Sequence, residues 1–148
     1  MTTELGLVDT WLTSTLTGHT GLTALVGSRV YDALAPQGAV YPHVVFQLQA
    51  AGADTVVVGG IRLAANVLYA VRAVTAVLTT AQSPGYASAR AIAAQIDAAL
   101  HAKRATVTGG AVLSCHRERP LKLPPETSTG GAMYYAEGGL YRIRVRVS

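Results

Sequence analysis

The sequence predicts an α+β fold, an antiparallel twisted sheet packed by an N-terminal helix and by one longer, Ala-rich helix over about 84–103. Three observations carry that expectation. Leu140–Val147 alternates almost without fault, Ile143, Val145 and Val147 apolar against Arg142, Arg144 and Arg146, which is the period of a half-buried strand. Ala89, Ile92, Ala93, Ile96, Ala99 and Leu100 form one stripe at helical spacing. The order helix, strands, helix, strands runs without repeats or linkers, so the 148 residues read as a single domain, 1–148.

Each element has its local reason. Leu5, Val8, Leu12 and Leu16, with Trp11, form the stripe of the first helix. Thr3 suits its N-cap, Glu4 the positive end of its dipole, and Gly18 its stop. A short second helix is expected with Thr20 as cap, Leu22, Leu25 and Val26 apolar, and Gly27 ending it. Arg29-Val30-Tyr31 reads as extended, and Ala35-Pro36-Gln37-Gly38 as a turn. In His43–Gln49, Val44, Phe46 and Leu48 alternate with more polar neighbours, a half-buried strand that tolerates Pro42 at its start. Thr55-Val56-Val57-Val58 ends at a Gly59-Gly60 turn. From Ile61 to about Val77 a long strand is expected, with Val67, Tyr69 and Val71 on one face and Asn66, Ala70 and Arg72 on the other.

Ser83 as N-cap and Pro84 at the first helical position open the Ala-rich helix, where a missing N–H costs nothing. His101, Lys103 and Arg104 suit its negative end. Ala105–Arg119 reads as strand around a Gly109-Gly110 turn, Pro120–Gly131 as a Pro- and Gly-rich loop, and Gly138-Gly139 as a break before the closing strand.

Half of the residues are hydrophobic, enough for a core, while charged residues make up 14%, against roughly 25% in an average globular protein. So few charges suit a protein that hides much of its surface against partners. The charge is uneven. Up to Leu100 there are four basic and five acidic residues, net −1, and from His101 onward eight and three, net +5. The N-terminus has no basic segment leading an apolar one, so no signal peptide is expected. Leu63–Ala81 nearly reaches membrane-spanning length, but Arg72 at its middle costs roughly 2.5–3.5 kcal/mol in a bilayer. A soluble protein with no membrane partner is expected.

No residue set supports catalysis, a cofactor or a metal. His19, His43, His101 and His116 are scattered. Cys115 and His116 are neighbours on a strand and so point to opposite faces; the single cysteine reads as a core residue. The seven carboxylates from Asp9 to Glu137 show no spacing that would pair them for acid–base work, and the four glycine pairs match no phosphate or dinucleotide loop. The sharpest charged feature is the comb Arg142, Arg144, Arg146, with Tyr134 and Tyr135 upstream. These five residues are the candidate interface. The comb fits a solvated strand face that discourages stray pairing, a contact with an acidic protein, or a contact with phosphates.

The order of these features resembles a known family. Thr20-Gly21-Leu22-Thr23-Ala24-Leu25-Val26-Gly27-Ser28-Arg29-Val30-Tyr31, then Ala35-Pro36-Gln37-Gly38 through Tyr41-Pro42-His43-Val44-Val45-Phe46, is similar to the tail terminator, or tail completion, proteins of long-tailed bacteriophages. The long strand, the Ala-rich helix ending in Ala98-Ala99-Leu100, the strand reaching Arg117-Glu118 and the closing Gly139–Ile143 strand extend the resemblance over nearly the whole chain. The segment around Gly59-Gly60 and the stretch from Pro120 to Gly131 are where it departs.

The resemblance implies a structural, non-enzymatic virion protein without cofactor. It implies a ring, commonly of six copies, that caps the tail tube, ends its polymerisation and docks the tail onto the head connector. The implied partners are further copies of itself, the tail tube protein and the head–tail connector protein, with DNA only as passing cargo. The implied location is the head-proximal end of the virion tail, with assembly in the host cytoplasm. A neck, head-closure or tube protein is the alternative within the particle. A nucleic-acid-binding module using the basic C-terminal region is the alternative of another class.

Overall fold

The computed structural model describes residues 3–77 and 86–148. The elements run α1 (Glu4–Gly18), α2 (Thr20–Val26), β1 (Val30–Asp32), β2 (His43–Ala51), β3 (Thr55–Val56), β4 (Arg62–Val77), α3 (Tyr86–Leu100), β5 (Lys103–Val107), β6 (Gly110–Thr127) and β7 (Met133–Val147). The sheet order is β1-β2-β4-β7-β6-β5, with β3 paired to the start of β4. The fold is α+β, and every strand pair but one is antiparallel. The exception is β1–β2, which pair in parallel because the ten residues 33–42 carry the chain back before β2 begins.

The helices cover one face of the sheet. In α1 the Thr3 Oγ1 accepts from the Gly6 N–H at 3.1 Å, and Leu7, Val8, Trp11, Leu12 and Leu16 are buried, whereas Leu5 is exposed. Its outer side is a run of threonines. Those at 10, 13 and 17 donate to carbonyls four residues earlier. In α2 the N-cap position falls to His19, not Thr20, and no side chain caps it. Helix α3 presents Ala89, Ile92, Ile96, Ala99 and Leu100 to the sheet. Val44, Phe46, Val67, Tyr69, Val71, Cys115, Tyr141, Ile143 and Val145 of the sheet join Ile92, Ile96, Ala99 and Leu100 of α3 and the buried side chains of α1 and α2 in the main core.

Several boundaries differ from the sequence reading. The Ala-rich helix stops at Leu100 and not near 103, because Ala102 takes a positive φ and Lys103 already enters β5. Its described length of 15 residues equals that of α1. Its expected Ser83 cap and Pro84 start lie outside the described residues. Lys103 and Arg104 therefore belong to a strand and not to the last helical turn.

Strand β6 runs on through the stretch expected to be a loop, as far as Thr127. Prolines are tolerated there because β5 pairs β6 only up to Cys115, leaving its far half an edge, and a register shift absorbs Pro124 and Pro125. Gly138 and Gly139 do not break β7 either. They pair with Arg72 and Val71 of β4, and at Gly138 the strands approach so closely that a side chain would not fit. In β2, burial does not alternate. His43–Phe46 are all buried and Leu48 is exposed, with a register shift following Leu48.

Candidate interaction faces

Strand β7 puts the arginine comb on the sheet face that carries no helix. Ile143 and Val145 enter the core, while Arg144 and Arg146 are exposed and Arg142 is half-buried. The three arginines differ in how far they are committed. Arg142 Nε lies 2.9 Å from Glu118 Oε2. Arg144 Nη2 donates to Thr55 Oγ1 at 3.3 Å. Among the described residues Arg146 has no ion pair, and it lines a groove with Arg104, Thr106, Ala111 and Leu113.

Register adds further arginines to the same face. Arg119 sits opposite Leu140, and Arg72 opposite Gly138. Burial pulls the Arg72 guanidinium below its ordinary range, with Glu126 acting in the opposite direction. A small apolar patch of Leu68, Ala70, Leu140 and Leu121 separates Arg72 from the comb.

The other end of this face is aromatic. The Tyr41 ring lies 4.8 Å from that of His43 and 5.3 Å from that of Tyr134, and Tyr31 meets His43 edge-on at 5.5 Å. His43 is buried beneath them, with Nδ1 3.2 Å from the Val40 carbonyl oxygen. Burial pulls its pKa below the usual value, the Val40 carbonyl opposes this, and Arg29 and Arg72 add to the lowering. Tyr134 and the comb thus share a face but not a site, since eight residues along β7 amount to about 27 Å. Tyr135 lies on the helix side, edge-on to Tyr86 of α3 at 4.8 Å.

The groups that could have carried chemistry are used structurally. Tyr69 donates to Asp9 Oδ1 at 2.6 Å, tying β4 to α1, and Tyr141 donates to Asp97 Oδ1 at 3.1 Å, tying β7 to α3. Cys115 is in the core, its thiol pKa pushed up to about 12 first by burial and then by Asp97, so it stays protonated. The structure brings His101 and His116 within 5.7 Å, but His101 Nδ1 already accepts from the Arg117 N–H at 3.0 Å. Among the described residues no three His, Cys, Asp or Glu side chains converge as a metal site, and no helix is long and apolar enough to cross a membrane.

One surface escaped the sequence reading. Of eleven exposed large hydrophobic residues among those described, nine fall between Leu34 and Leu63 and none beyond. Val58 is fully exposed, Ile61 67% and Val56 56% exposed, around the turn made by Gly59 and Gly60, both at positive φ. The available signal was the unbroken Val56-Val57-Val58 run, which lacks the polar alternation of a half-covered strand.

A family model described as tail completion protein gp17 matches residues 10–148. Among solved structures, a chain from the virion of a native gene transfer agent particle superposes with a TM-score of 0.60 at 21% identity, covering 98% of each chain. At that identity the likeness is one of fold. No curated protein sequence matches the chain.

Proposed function

Because the chain belongs to the tail completion protein gp17 family, we propose that it closes into a ring, of six copies as the expected number, on the head-proximal end of the tail tube. The family makes it a structural component of the phage tail and not an enzyme. In the proposed role the ring ends tube polymerisation, since a capped end offers no template to the next tube subunit, and its outer surface receives the head connector. Assembly takes place in the host cytoplasm, before the tail joins the head, and the whole chain acts as one domain.

The observation that carries this reading is the family match over nearly the whole chain, on a fold in which Tyr69–Asp9 and Tyr141–Asp97 are taken up in holding helices to the sheet. The comb Arg142, Arg144, Arg146 is proposed as the face that meets an acidic partner or the phosphates of DNA passing through the ring, with Tyr134 serving a separate contact and Tyr135 a contact across the helix side. The test is electron microscopy of tails made without this protein. Tails of uncontrolled, excessive length that fail to join heads are expected. Tails of normal length and normal head attachment would falsify the capping role.

A further inference from the structure

We propose that the apolar β3–β4 hairpin of one copy seats on the β5–β6 edge of a second copy, which makes the subunit contact head-to-tail. The number of copies rests on the ring reading above, but the contact itself rests on how unlike the two edges of this sheet are. The edge built from β1, β2 and β3 is apolar. It holds Leu34, Val40, Leu48, Val56, Val58 and Ile61 exposed; its charges from Val30 to Arg62 are Asp32, Asp54 and Arg62, the last two paired with each other at 2.8 Å at the base of the hairpin. Because β1 covers only Val44–Phe46, the Gln47–Ala51 stretch of β2 is an open edge with neither charge nor proline to block pairing.

The opposite edge is β5, at the far end of the strand order. It presents Lys103 and Arg104, and a groove beside it is lined by Arg104, Ala105, Thr106, Ala111, Leu113 and Arg146 without any carboxylate. Two arginine stems flanking alanine, threonine and leucine suit an apolar knob, because the stems cover apolar surface while their heads stay wet. The same heads suit Asp32, which is exposed on the incoming edge, Asp54 being paired already with Arg62 at 2.8 Å. An apolar patch of this kind, left uncovered, is an association site. Joining it to a different patch at the opposite edge gives a heterologous contact, the type that closes rings when the rotation per copy divides the circle. Hairpin-to-hairpin pairing would instead stop at two copies.

The test uses the full chain and sedimentation mass. One variant carries Val58→Asp with Ile61→Asp, the other Arg104→Glu with Arg146→Glu. All four positions are exposed or line the open groove, and circular dichroism checks that each variant keeps its fold. Each variant alone is expected to lose assembly at concentrations at least tenfold above those at which the unaltered chain assembles. Mixed together they are expected to give a one-to-one dimer and nothing larger, since one hairpin and one edge remain intact. A hairpin variant that assembles like the unaltered chain overturns the inference and leaves the ring standing, as does a mixture that stays monomeric. If the unaltered chain is monomeric alone, a photoreactive residue at position 58 in assembled tails decides the matter. Crosslinks to residues 103–113 of another copy support the contact, and crosslinks to the tube subunit overturn it. Tails of normal length without the protein would strike the ring reading and not this contact.

Discussion

Gly138 leaves no room for a Cβ against the backbone of β4, and Gly138→Ala tests whether the β4–β7 seam depends on it. A Cβ built there meets the Val71 carbonyl oxygen and lies 2.6 Å from Arg72 Cα, both backbone atoms of the paired strand. A flexible side chain could swing aside, but a strand hydrogen-bonded on both sides cannot. β4 is held by β2 on its other edge and β7 by β6. Relief therefore means spreading the two central strands, and overpacking of this kind costs about 1–3 kcal/mol, with the upper end expected here. The control is Gly18→Ala at the end of α1, where a Cβ meets nothing within 4 Å and the effect is expected within about 0.5 kcal/mol. Urea unfolding followed by the fluorescence of Trp11, which is only 3% exposed, reports both. A Gly138→Ala protein as stable as the control would refute the argument from close approach.

Other expectations follow from the same packing. Tyr69→Phe removes the hydroxyl bond that ties β4 to α1 and should cost about 1.5–3 kcal/mol, as for hydrogen bonds to charged groups. Tyr141→Phe should cost less, about 1 kcal/mol, because Arg117 Nε remains 3.7 Å from Asp97 Oδ1; urea midpoints in the reverse order would sink the comparison. Ile96→Ala, fully buried in α3, should cost about 2–5 kcal/mol in the same assay. His43 has a folded pKa below its ordinary 6.5, so its neutral form belongs to the folded state. Its contribution is whole above about pH 6.5 and is lost as pH falls through the lower folded value. Unfolding midpoints should therefore drop between pH 7.5 and pH 5, and His43→Gln should flatten that drop; an unchanged slope would show the burial has no titration consequence.

How much of this was legible depended on whether the signal was local. The β7 alternation reads directly over Ile143–Val147, where core-facing and exposed side chains alternate, whereas from Ala136 to Tyr141 most positions on both faces are buried. The α3 stripe reads for the same reason. The far half of β6 did not read as strand, since Pro120, Pro124 and Pro125 argue for a loop unless one knows that β5 stops at Cys115 and leaves an edge there. The pairing of Gly138 and Gly139 was hidden likewise, because turn chemistry and close strand approach call for the same residue. Of the candidate interface, the comb was visible from spacing. Its separation from Tyr134 by about 27 Å of strand follows from β7 being continuous, and the expected glycine break obscured that.

The surfaces left over are a consequence of how the interior was satisfied. Asp9 and Asp97 are drawn to Tyr69 and Tyr141, Glu4 to Arg62 and Glu137 to Arg90, so these acidic side chains are engaged in binding helices to strands. The basic excess of the C-terminal part then remains on the bare face and on the β5 edge, as with Arg104, Arg144 and Arg146. The apolar excess remains on the opposite edge, where β1 is three residues long and β3 two, too short to cover what lies beyond them. The two edges thus differ in both charge and polarity. Which strands become edges is decided by topology and not by composition. That is why the family resemblance could point to an assembling protein while the residues of the proposed contact could be chosen only once the fold showed which strands are edges.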